Sequence, residues 1–341
     1  MARLTKHRHA GLRIDVSHGE DDGEHFAIPS LLGERYEITG WLAAGGFGAV
    51  FVARDRRIFD RLVLVKANRY SPHLFAHPHD AERDRIVAEQ RARMQHEVAM
   101  LRIAQQREIA GTPVLIDLLY APSPQLYGPH RSADGQDFVL DAQETMQEPY
   151  LVMGSIDGES LGRACARPRF REQLLKNTKT AAIQLCGILQ AFHRYEHHDA
   201  GKLAFIYQDL KPENVIWTPT RCAYLIDFGS FAVRTPERVG GQNRFLCTPP
   251  YAPPEFSQSY SAEEAIVPSA DIYSLGATLI HLLKGKIPWI SHTGEVDLSL
   301  DASWPSAWRS WLQRATAEEP SERFESMFEM QRLAYQLPDN S

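Results

Sequence analysis

Three side chains that could bind a metal ion or move a proton, Asp209, Asn214 and Asp227, lie in one stretch that reads YQDLKPENVIWTPTRCAYLIDFG. The apolar runs 214–217 and 222–226 predict two short strands, and the turn between them would bring the two polar loops side by side. Asn214 and Asp227 would then face one cation site. Carboxylate and amide oxygens are hard ligands, which suit a magnesium ion that keeps water and phosphate oxygens in its shell.

Asp209 is followed two residues later by Lys211, and we expect this pair to lie where an attacking hydroxyl group meets a phosphoryl group. In these residues the chain resembles the protein kinases, whose pattern is Asp, then Lys and Asn on the same loop, then Asp-Phe-Gly. The matching residues are Asp209, Lys211, Asn214 and Asp227, and Lys-Pro-Glu-Asn is typical of serine/threonine kinases. The resemblance implies that Asp209 accepts or orients the hydroxyl proton and that Lys211 neutralises the γ-phosphate. It assigns the metal ion, Mg²⁺ or Mn²⁺, to Asn214 and Asp227.

A glycine cluster near the start of the chain, in RYEITGWLAAGGFGAVFVARD, lies between two runs with strand character. Glycines let backbone amides approach phosphate oxygens because no side chain is in the way. Gly45, Gly48 and Val50 match the glycine loop of the protein kinases, whereas Ala43 replaces the first glycine. The sequence GGFG resembles the loops of bacterial serine/threonine kinases. The departure at Ala43 should stiffen the turn and weaken its hold on the phosphates.

The apolar run LVLVK ends in Lys66, at the position where the family has the lysine that pairs with the α- and β-phosphates. Segment 80–106 predicts a long helix because it combines a capping Asp, strong helix formers and apolar residues near helical spacing. Glu97 lies on the apolar side of this helix, where a buried acid needs a cation. We expect Lys66 to be that cation. Glu82 and Glu89 are alternatives nearer the charged start of the helix.

The runs 112–120 and 150–153 predict two further strands. After Met153, the sequence GSIDGESL resembles the hinge between the lobes of a kinase. The backbone groups of Gly154 and Ile156 would there bind the edge of adenine. The residues that the resemblance assigns to ATP binding are Ala43, Gly45, Gly48, Val50, Leu64, Lys66, Met153, Gly154, Ile156 and Ile216.

The second half of the chain carries the remaining family features. Segment 179–193 predicts a helix that leads into the catalytic loop, and the sequence TPPYAPPE, which starts at Thr248 and ends at Glu255, matches the end of a kinase activation segment. The resemblance makes Thr248 part of the platform for a peptide substrate. It also implies that Asp271, at the start of the apolar helix DIYSLGATLIHLLKGKIPW, holds the catalytic loop and that Arg323 pairs with Glu255.

The implied fold is an α+β, two-lobed kinase fold. The smaller lobe, 34–154, would be mainly antiparallel sheet with one long helix and inserts near 71–80 and 121–149. The larger lobe, 155–337, would be mainly helical. Residues 1–33 are basic and then acidic with little apolar periodicity, so we expect a disordered extension whose scattered histidines are solvated and bind no metal. The insert or this tail could dock partners.

Composition limits the classes of protein to consider. The chain has 341 residues, 43% of them hydrophobic and 23% charged, which is ordinary for a globular protein. A net charge of −6 argues against nucleic acid as the main partner. No run has the roughly 18 apolar residues of a membrane span, and the start of the chain has no apolar signal-peptide core, so we expect a cytoplasmic protein. The four cysteines show no CxxC spacing, which favours buried free thiols over zinc or disulfides.

Three functions remain open at this point. The first is a protein kinase that transfers the γ-phosphoryl group of ATP to Ser or Thr hydroxyls of protein substrates. The second is a pseudokinase scaffold, which is suggested by four departures from the family pattern: Ala43, Leu64 at a usual Ala, Tyr207 and Gln208. The third is a small-molecule kinase of the aminoglycoside or choline type, and segment 248–255 argues against it because those enzymes lack a peptide platform.

Regulation is expected to differ from that of many kinases. Where they carry an Arg that pairs with a phosphorylated activation segment, this chain has Gln208, and a neutral amide gains little from a dianion. Arg244 occupies the expected phosphorylation site. Ser230, Thr235 and Thr248 are hydroxyls that remain nearby. We therefore predict that activity does not depend on phosphorylation of this segment.

Overall fold

The computed structural model describes most of the chain, namely residues 2–6, 11–18, 21–44, 48–68, 70, 81–122, 125–127, 147–194, 196–198, 201–235, 239–240, 247–256, 261–290, 296–299 and 302–339. The chain divides into two compact units. The first comprises Met1–Arg102 with Val114–Ser155, and the second comprises Ile103–Pro113 with Ile156–Ser341. Gly45, the expected insert at 71–80 and most of the stretch 121–149 lie outside the described residues.

Antiparallel strands and one long helix make up the first unit. In chain order they are β1 (Ala2–Lys6), β2 (Gly11–His18), β3 (Asp21–Pro29), β4 (Leu31–Leu32), β5 (Tyr36–Ala44), β6 (Gly48–Asp55), β7 (Arg61–Asn68), α1 (Ala81–Gln106), β8 (Leu115–Pro122), β9 (Gln125–Tyr127) and β10 (Gln147–Gly154). A six-stranded sheet has the order β4-β5-β6-β7-β10-β8, and each of its pairs is antiparallel. The last turn of α1 belongs to the second unit.

The six-stranded sheet has two different faces because successive side chains of a strand point to opposite sides. In β7, Val63, Val65 and Ala67 are fully buried, whereas Leu64 and Lys66 are partly exposed. The buried face belongs to a core formed by Ile28, Leu32, Tyr36, Ile38, Ala49, Phe51, Ala53, Val63, Val65, Ala67, Ala121, Tyr150 and Val152. The opposite face, which carries Lys66, is thereby left accessible.

The first 33 residues differ from the disordered extension that the charge pattern predicted. They contain β1, β2 and β3, which pair in antiparallel fashion and form a sheet of order β1-β2-β3-β9. The physical reason is visible in β2, where Leu12, Ile14 and Val16 alternate with charged residues. Such alternation indicates a strand, and a count of charges does not detect it.

Helices, small sheets of two to four short strands and single 3₁₀ turns make up the described part of the second unit. In chain order the strands and helices are β11 (Glu159–Ser160), α2 (Leu161–Cys165), α3 (Pro168–Lys176), α4 (Thr178–His193), β12 (Glu196–His198), β13 (Gly201–Ile206), β14 (Val215–Trp217), β15 (Ala223–Leu225), β16 (Ala232–Arg234), β17 (Val239–Gly240), α5 (Ala262–Ala265), α6 (Pro268–Lys284), β18 (Trp289–Ile290), β19 (Val296–Asp297), α7 (Ser306–Ala315) and α8 (Met327–Ala334). The fold class is the predicted one, with a sheet-rich first part and a helical second part. None of the helices in the described ranges is both long and apolar enough to cross a membrane.

Helix α6 is the central helix of the second unit, since every residue from Ala270 to Leu283 is buried. Pro268 at its first turn is well suited to a helix start because its φ is already helical and it needs no N–H partner. The helix ends at Lys284, before the predicted end at Trp289. Gly285 there takes a left-handed φ of 69° and caps the helix.

The segment Ile103–Pro113, which contains the last turn of α1, belongs to the second unit. The Leu225 N–H donates to the Gly111 carbonyl at 2.8 Å. Gly111 has a φ of 77°, and a Cβ at this position would lie 2.8 Å from the Ala223 carbonyl oxygen. A side chain here would therefore push this segment away from β15. The compact units thus do not follow the predicted lobe bounds of 34–154, since Ile103–Pro113 lies in the second unit.

The described cysteines are free thiols, as expected. Cys165 and Cys186 are buried and Cys247 is partly buried. Cys222 is exposed, contrary to the prediction, because it lies in the turn between β14 and β15. Burial raises the pKa of the Cys165 and Cys247 thiols to about 11, so both stay protonated near neutral pH.

Candidate active site

The loop between β13 and β14 holds Asp209 and Lys211 in a closed set of hydrogen bonds with Thr248. Lys211 Nζ donates to Asp209 Oδ2 at 2.8 Å and to Thr248 Oγ1 at 2.7 Å. Thr248 Oγ1 donates in turn to Asp209 Oδ1 at 2.7 Å. Each oxygen of Asp209 is thus bound by a different donor, which fixes the plane of the carboxylate.

Asn214 links this set to the hairpin of β14 and β15. Its Nδ2 donates to the backbone oxygen of Asp209 at 2.9 Å and to Asp209 Oδ2 at 3.2 Å. Because the amide nitrogen is engaged in this way, the amide oxygen is the atom that can bind a cation. The Ile226 N–H donates to the Asn214 carbonyl at 2.9 Å, which brings Asn214 beside the residue that precedes Asp227.

Asn214 and Asp227 supply donors that fit a magnesium ion. Asp227 is partly exposed and has a left-handed φ of 63°, which Asp tolerates better than most residues. Among the described residues, no group of three or more His, Cys, Asp or Glu side chains could hold a metal by itself. One carboxylate and one amide oxygen suit magnesium, which takes few protein ligands and completes its shell with phosphate and water.

Asp271 of α6 holds the backbone of the loop that leads to Asp209, as the resemblance implied. Its carboxylate is fully buried. Oδ2 accepts hydrogen bonds from the Tyr207 N–H at 2.8 Å and from His193 Nε2 at 2.7 Å, and Oδ1 accepts the Gln208 N–H at 2.8 Å. Gln208 has a φ of 70°, a costly conformation for a residue other than Gly. The Asp271 bonds offset that cost.

Tyr207 and Gln208, which the sequence showed only as departures from the family pattern, bind the segment around Phe228. Gln208 Nε2 donates to the Ser230 carbonyl at 2.8 Å, and Ser230 Oγ donates to the Tyr207 carbonyl at 2.8 Å. The Tyr207 hydroxyl donates to the Ile226 carbonyl. Sequence reasoning treated Ser230 only as a candidate phosphorylation site, and no local pattern signals these bonds.

In the first unit, the residues assigned to ATP binding share one face of the six-stranded sheet. Val50 lies directly opposite both Ala43 and Lys66, and Leu64 lies directly opposite Met153. Directly opposed residues of paired strands are on the same face, and Leu64 and Lys66 are two residues apart on β7. The five side chains therefore lie on the accessible face described above.

Gly48 allows β6 to lie close to Lys66. A Cβ at Gly48 would be 3.0 Å from the Ala67 carbonyl oxygen and 3.4 Å from Lys66 Cε. Most side chains would therefore have to displace the lysine stem or the strand. Glycine is needed here because there is no room for a side chain. The backbone of Gly48 is not in the left-handed region.

Lys66 and Glu97 form the ion pair that was predicted between them. Lys66 Nζ donates to Glu97 Oε1 at 2.9 Å and to Oε2 at 2.7 Å. Glu97 is buried, and a buried carboxylate requires such a partner. The alternatives, Glu82 and Glu89, instead pair with Arg85 on the exposed side of α1.

The hinge residues lie in separate units, with Gly154 in the first and Ile156 in the second. The Gly154 N–H donates to the Val114 carbonyl at 2.9 Å. This N–H therefore serves the sheet, and any adenine contact of Gly154 would use its carbonyl oxygen. Ile216, the remaining predicted contact, is partly exposed in the middle of β14.

Glu255 and Arg323 form a buried, two-pronged ion pair behind the segment that carries Thr248. Arg323 Nη1 and Nη2 donate to the two Glu255 oxygens at 2.7 Å each. The guanidinium group also donates to the backbone oxygens of Ser269, Ala317 and Glu318. Paired donors of this kind set the geometry as well as the energy, so the pair anchors the end of the segment.

Comparison with known proteins agrees with this geometry. The family described as Protein kinase domain matches residues 138–330. Serine/threonine-protein kinase PknG of Mycobacterium leprae is 25% identical over 309 residues, which are 88% of this chain and 32% of that protein. Serine/threonine-protein kinase C of Synechocystis is 29% identical over 87% of this chain and 48% of that protein, and PknA of Nostoc is 26% identical over 89% and 47%. The chain thus spans about a third to a half of the length of these relatives.

Proposed function

The chain belongs to the protein kinase family, and on that premise we propose that it transfers the γ-phosphoryl group of ATP to Ser or Thr hydroxyls of protein substrates. The observation that carries this proposal is the arrangement around Asp209. Thr248 Oγ1 lies 2.7 Å from Asp209 Oδ1, so an aliphatic hydroxyl reaches this carboxylate at the distance that a general base requires. The names of the relatives, all serine/threonine kinases, support the same choice of acceptor.

Each role in the proposed reaction has a residue of suitable chemistry. Bound ATP and its metal ion supply the phosphoryl group and spread its charge. Asp209 orients the acceptor hydroxyl and takes its proton, and Lys211 balances negative charge beside it. Asn214 and Asp227 present oxygen atoms for the metal. Lys66, held by both oxygens of Glu97, presents its ammonium group from β7.

The proposal is tested by incubating the protein with γ-labelled ATP and Mg²⁺, alone and with a generic basic protein. We expect label on Ser and Thr, and a loss of roughly 10² to 10⁴ in rate for Asp209→Asn, the range typical of a positioned acid or base. Asp297→Asn is the matched control, because Asp297 lies in the same unit but is exposed and binds Lys284. Nucleotide binding without transfer by the unaltered protein would instead support the pseudokinase alternative.

We infer that activity does not depend on phosphorylation of the segment after Phe228. In kinases with an Arg before the catalytic Asp, a phosphate on this segment supplies its charge partner. Here Gln208 binds the Ser230 backbone through a neutral hydrogen bond of 2.8 Å. This bond joins the loop to the segment without a phosphate, which supports the inference.

The same proposal implies the class of substrate and the cellular compartment. The substrates are proteins with exposed Ser or Thr acceptors, and ATP as cosubstrate points to the cytoplasm. Docking of partners through the stretch 121–149 or through the first 33 residues stays a prediction.

A further inference from the structure

A second charged group is buried in the first unit, apart from Lys66 and Glu97. Glu148, at the start of β10, is 0% exposed. Arg91 Nε donates to its Oε1 at 2.8 Å, while the Tyr70 hydroxyl and Asn68 Nδ2 donate to its Oε2 at 2.8 and 3.0 Å. We call Asn68, Tyr70, Arg91 and Glu148 the Glu148 cluster. None of these four residues was singled out by the sequence motifs.

The Glu148 cluster joins the two elements that carry the Lys66–Glu97 ion pair. Asn68 is two residues from Lys66 at the end of β7. Arg91 is on α1, and its six-residue separation from Glu97 corresponds to about 9 Å along the helix axis at 1.5 Å per residue. The helix is therefore tied to the sheet along its length through Arg91, through Glu97 and, between them, through Gln95, whose Nε2 donates to the Tyr120 hydroxyl of β8 at 3.1 Å.

Because Glu148 is charged and buried, it needs Arg91 as a cationic partner. Burial raises the pKa of Tyr70 well above its usual value, and the negative charge of Glu148 raises it further. The hydrogen bond to Glu148 raises the pKa of Arg91. The Arg91 side chain is 36% exposed, whereas Glu148 is fully buried. Removing Arg91 would leave a buried carboxylate without its cation, which costs much more than loss of a fully exposed pair. A shift of α1 that admits water to Glu148 would lower that cost.

The exposure of residues along α1 also changes near Arg91. Its first two turns are largely exposed, with ion pairs among Glu82, Arg85 and Glu89. Val87 is buried among them, and buried residues recur more often from Met94 onward. Arg91 therefore binds the sheet just before the more buried half of the helix, which carries Glu97.

We propose that the Glu148 cluster positions α1 so that Glu97 reaches Lys66, which makes Arg91, Glu148 and Tyr70 positioning residues for the ion pair. Its consequence for phosphoryl transfer rests on the proposed function. The positional claim itself concerns only Lys66 and Glu97 and can be measured without ATP.

The test is the rate at which a small acylating reagent, N-hydroxysuccinimide acetate, labels Lys66 in the full chain, read by peptide mass spectrometry. An ammonium group held by two carboxylate oxygens is a poor nucleophile, so labelling should be slow in the unaltered protein. Glu97→Gln sets the rate for a lysine without its partner. For Arg91→Gln we expect labelling to rise about tenfold, the change that loss of one charge-assisted hydrogen bond gives. Lys211, in the second unit, reports any general unfolding.

Three further variants make the test specific. Arg85→Gln removes exposed ion pairs from the same helix and should leave Lys66 labelling unchanged. Tyr70→Phe removes one hydroxyl from the Glu148 cluster and should raise Lys66 labelling by less than Arg91→Gln does. Arg91→Lys keeps the charge but loses the hydrogen bond that Nε donates to Glu148 and the one that Nη2 donates to the Gln147 carbonyl. Its labelling rate should therefore fall between those of the unaltered protein and Arg91→Gln.

The outcomes are distinct. A rise at Lys66 with no change at Lys211 supports the proposal. If the rate of Lys66 labelling is unchanged in Arg91→Gln, or rises equally in Arg85→Gln, the proposal is overturned. If Arg91→Gln exposes both lysines by unfolding, Tyr70→Phe decides: a rise at Lys66 alone supports the proposal, and any other result overturns it. If the unaltered protein transfers no phosphate, the proposed function fails, while the labelling still decides the positional claim.

Discussion

At the scale of single residues, the main feature of the candidate site is the set of hydrogen bonds that fixes the Asp209 carboxylate. Asp209 has both oxygens engaged, by Thr248 on one side and by Lys211 and Asn214 on the other. Asp227 lies on a different turn and has no part in these three bonds. The two aspartates should therefore fail in different ways when they are replaced.

We predict that Asp209→Asn and Asp227→Asn both abolish transfer but differ in nucleotide binding. Asp209→Asn removes the group that orients and accepts the hydroxyl proton, a contribution of roughly 10² to 10⁴ in rate, and should bind Mg²⁺-ATP as the unaltered protein does. Asp227→Asn removes a carboxylate ligand and should weaken the magnesium-dependent part of binding. Calorimetric titration with and without Mg²⁺ measures this, and equally weak binding by both variants would contradict the division of roles.

Lys66→Met should lower transfer strongly and leave the fold intact. Its partner Glu97 is buried, and a carboxylate that loses its cation can take up a proton instead of remaining charged. Transfer rate and thermal unfolding should be measured together. Glu97→Gln is the matched control and should reproduce the loss of transfer. A collapse of the folded state in proportion to the lost activity would show that the pair is only structural.

At the scale of elements, the second unit is organised around α6. Asp271 on this helix accepts the backbone N–H groups of Tyr207 and Gln208, and the Thr278 hydroxyl donates to the Leu210 carbonyl at 3.2 Å. The loop that carries Asp209 is thus hydrogen bonded to a helix that is buried nearly throughout. Its link to the next segment is the neutral bond between Gln208 and Ser230.

This link leads to a prediction about regulation. Protein stripped with a phosphatase, and shown by mass spectrometry to be unmodified from residue 230 to 251, should keep most of its initial rate, because Gln208 needs no phosphate to bind the segment. The assay must start at once, before the protein can phosphorylate itself. Loss of most activity, with recovery in step with phosphate on Ser230 or Thr235, would overturn the prediction.

At the scale of the whole molecule, stability should depend on a buried histidine. Burial lowers the pKa of His281, whose Nδ1 lies 2.6 Å from the Tyr251 hydroxyl. An unfolded chain releases this histidine to its ordinary pKa of about 6.5. Between the two values the unfolded state binds more protons than the folded state, so stability is full above about pH 6.5 and falls as the pH drops.

We therefore expect His281→Gln to flatten the acid side of the stability profile. The midpoint of urea unfolding should be measured from pH 7.5 down to 5.5 for both proteins. The unaltered protein should lose stability more steeply over this range, whatever the difference between the two at pH 7.5. Parallel profiles would show that His281 does not contribute to the pH dependence.

The sequence by itself determined the fold class and predicted the residues of the candidate site. The roles of Asp209, Lys211, Asn214 and Asp227 are those that the resemblance to the protein kinases implies. Their short spacing and the local hairpin predicted which of these side chains lie near one another. The long helix and the choice of Glu97 as partner of Lys66 also followed from local periodicity and from the need of a buried acid for a cation.

Only the tertiary structure decided which groups far apart in the sequence form hydrogen bonds with each other. The contact of Thr248 with Asp209 and that of Gln208 with Ser230 join separate loops, and β3 pairs with a strand about a hundred residues later. The Glu148 cluster has no local signal at all, because a glutamate at a strand start is ordinarily exposed. Whether such a charge is buried depends on what packs around it, and that is settled by residues far apart in the chain.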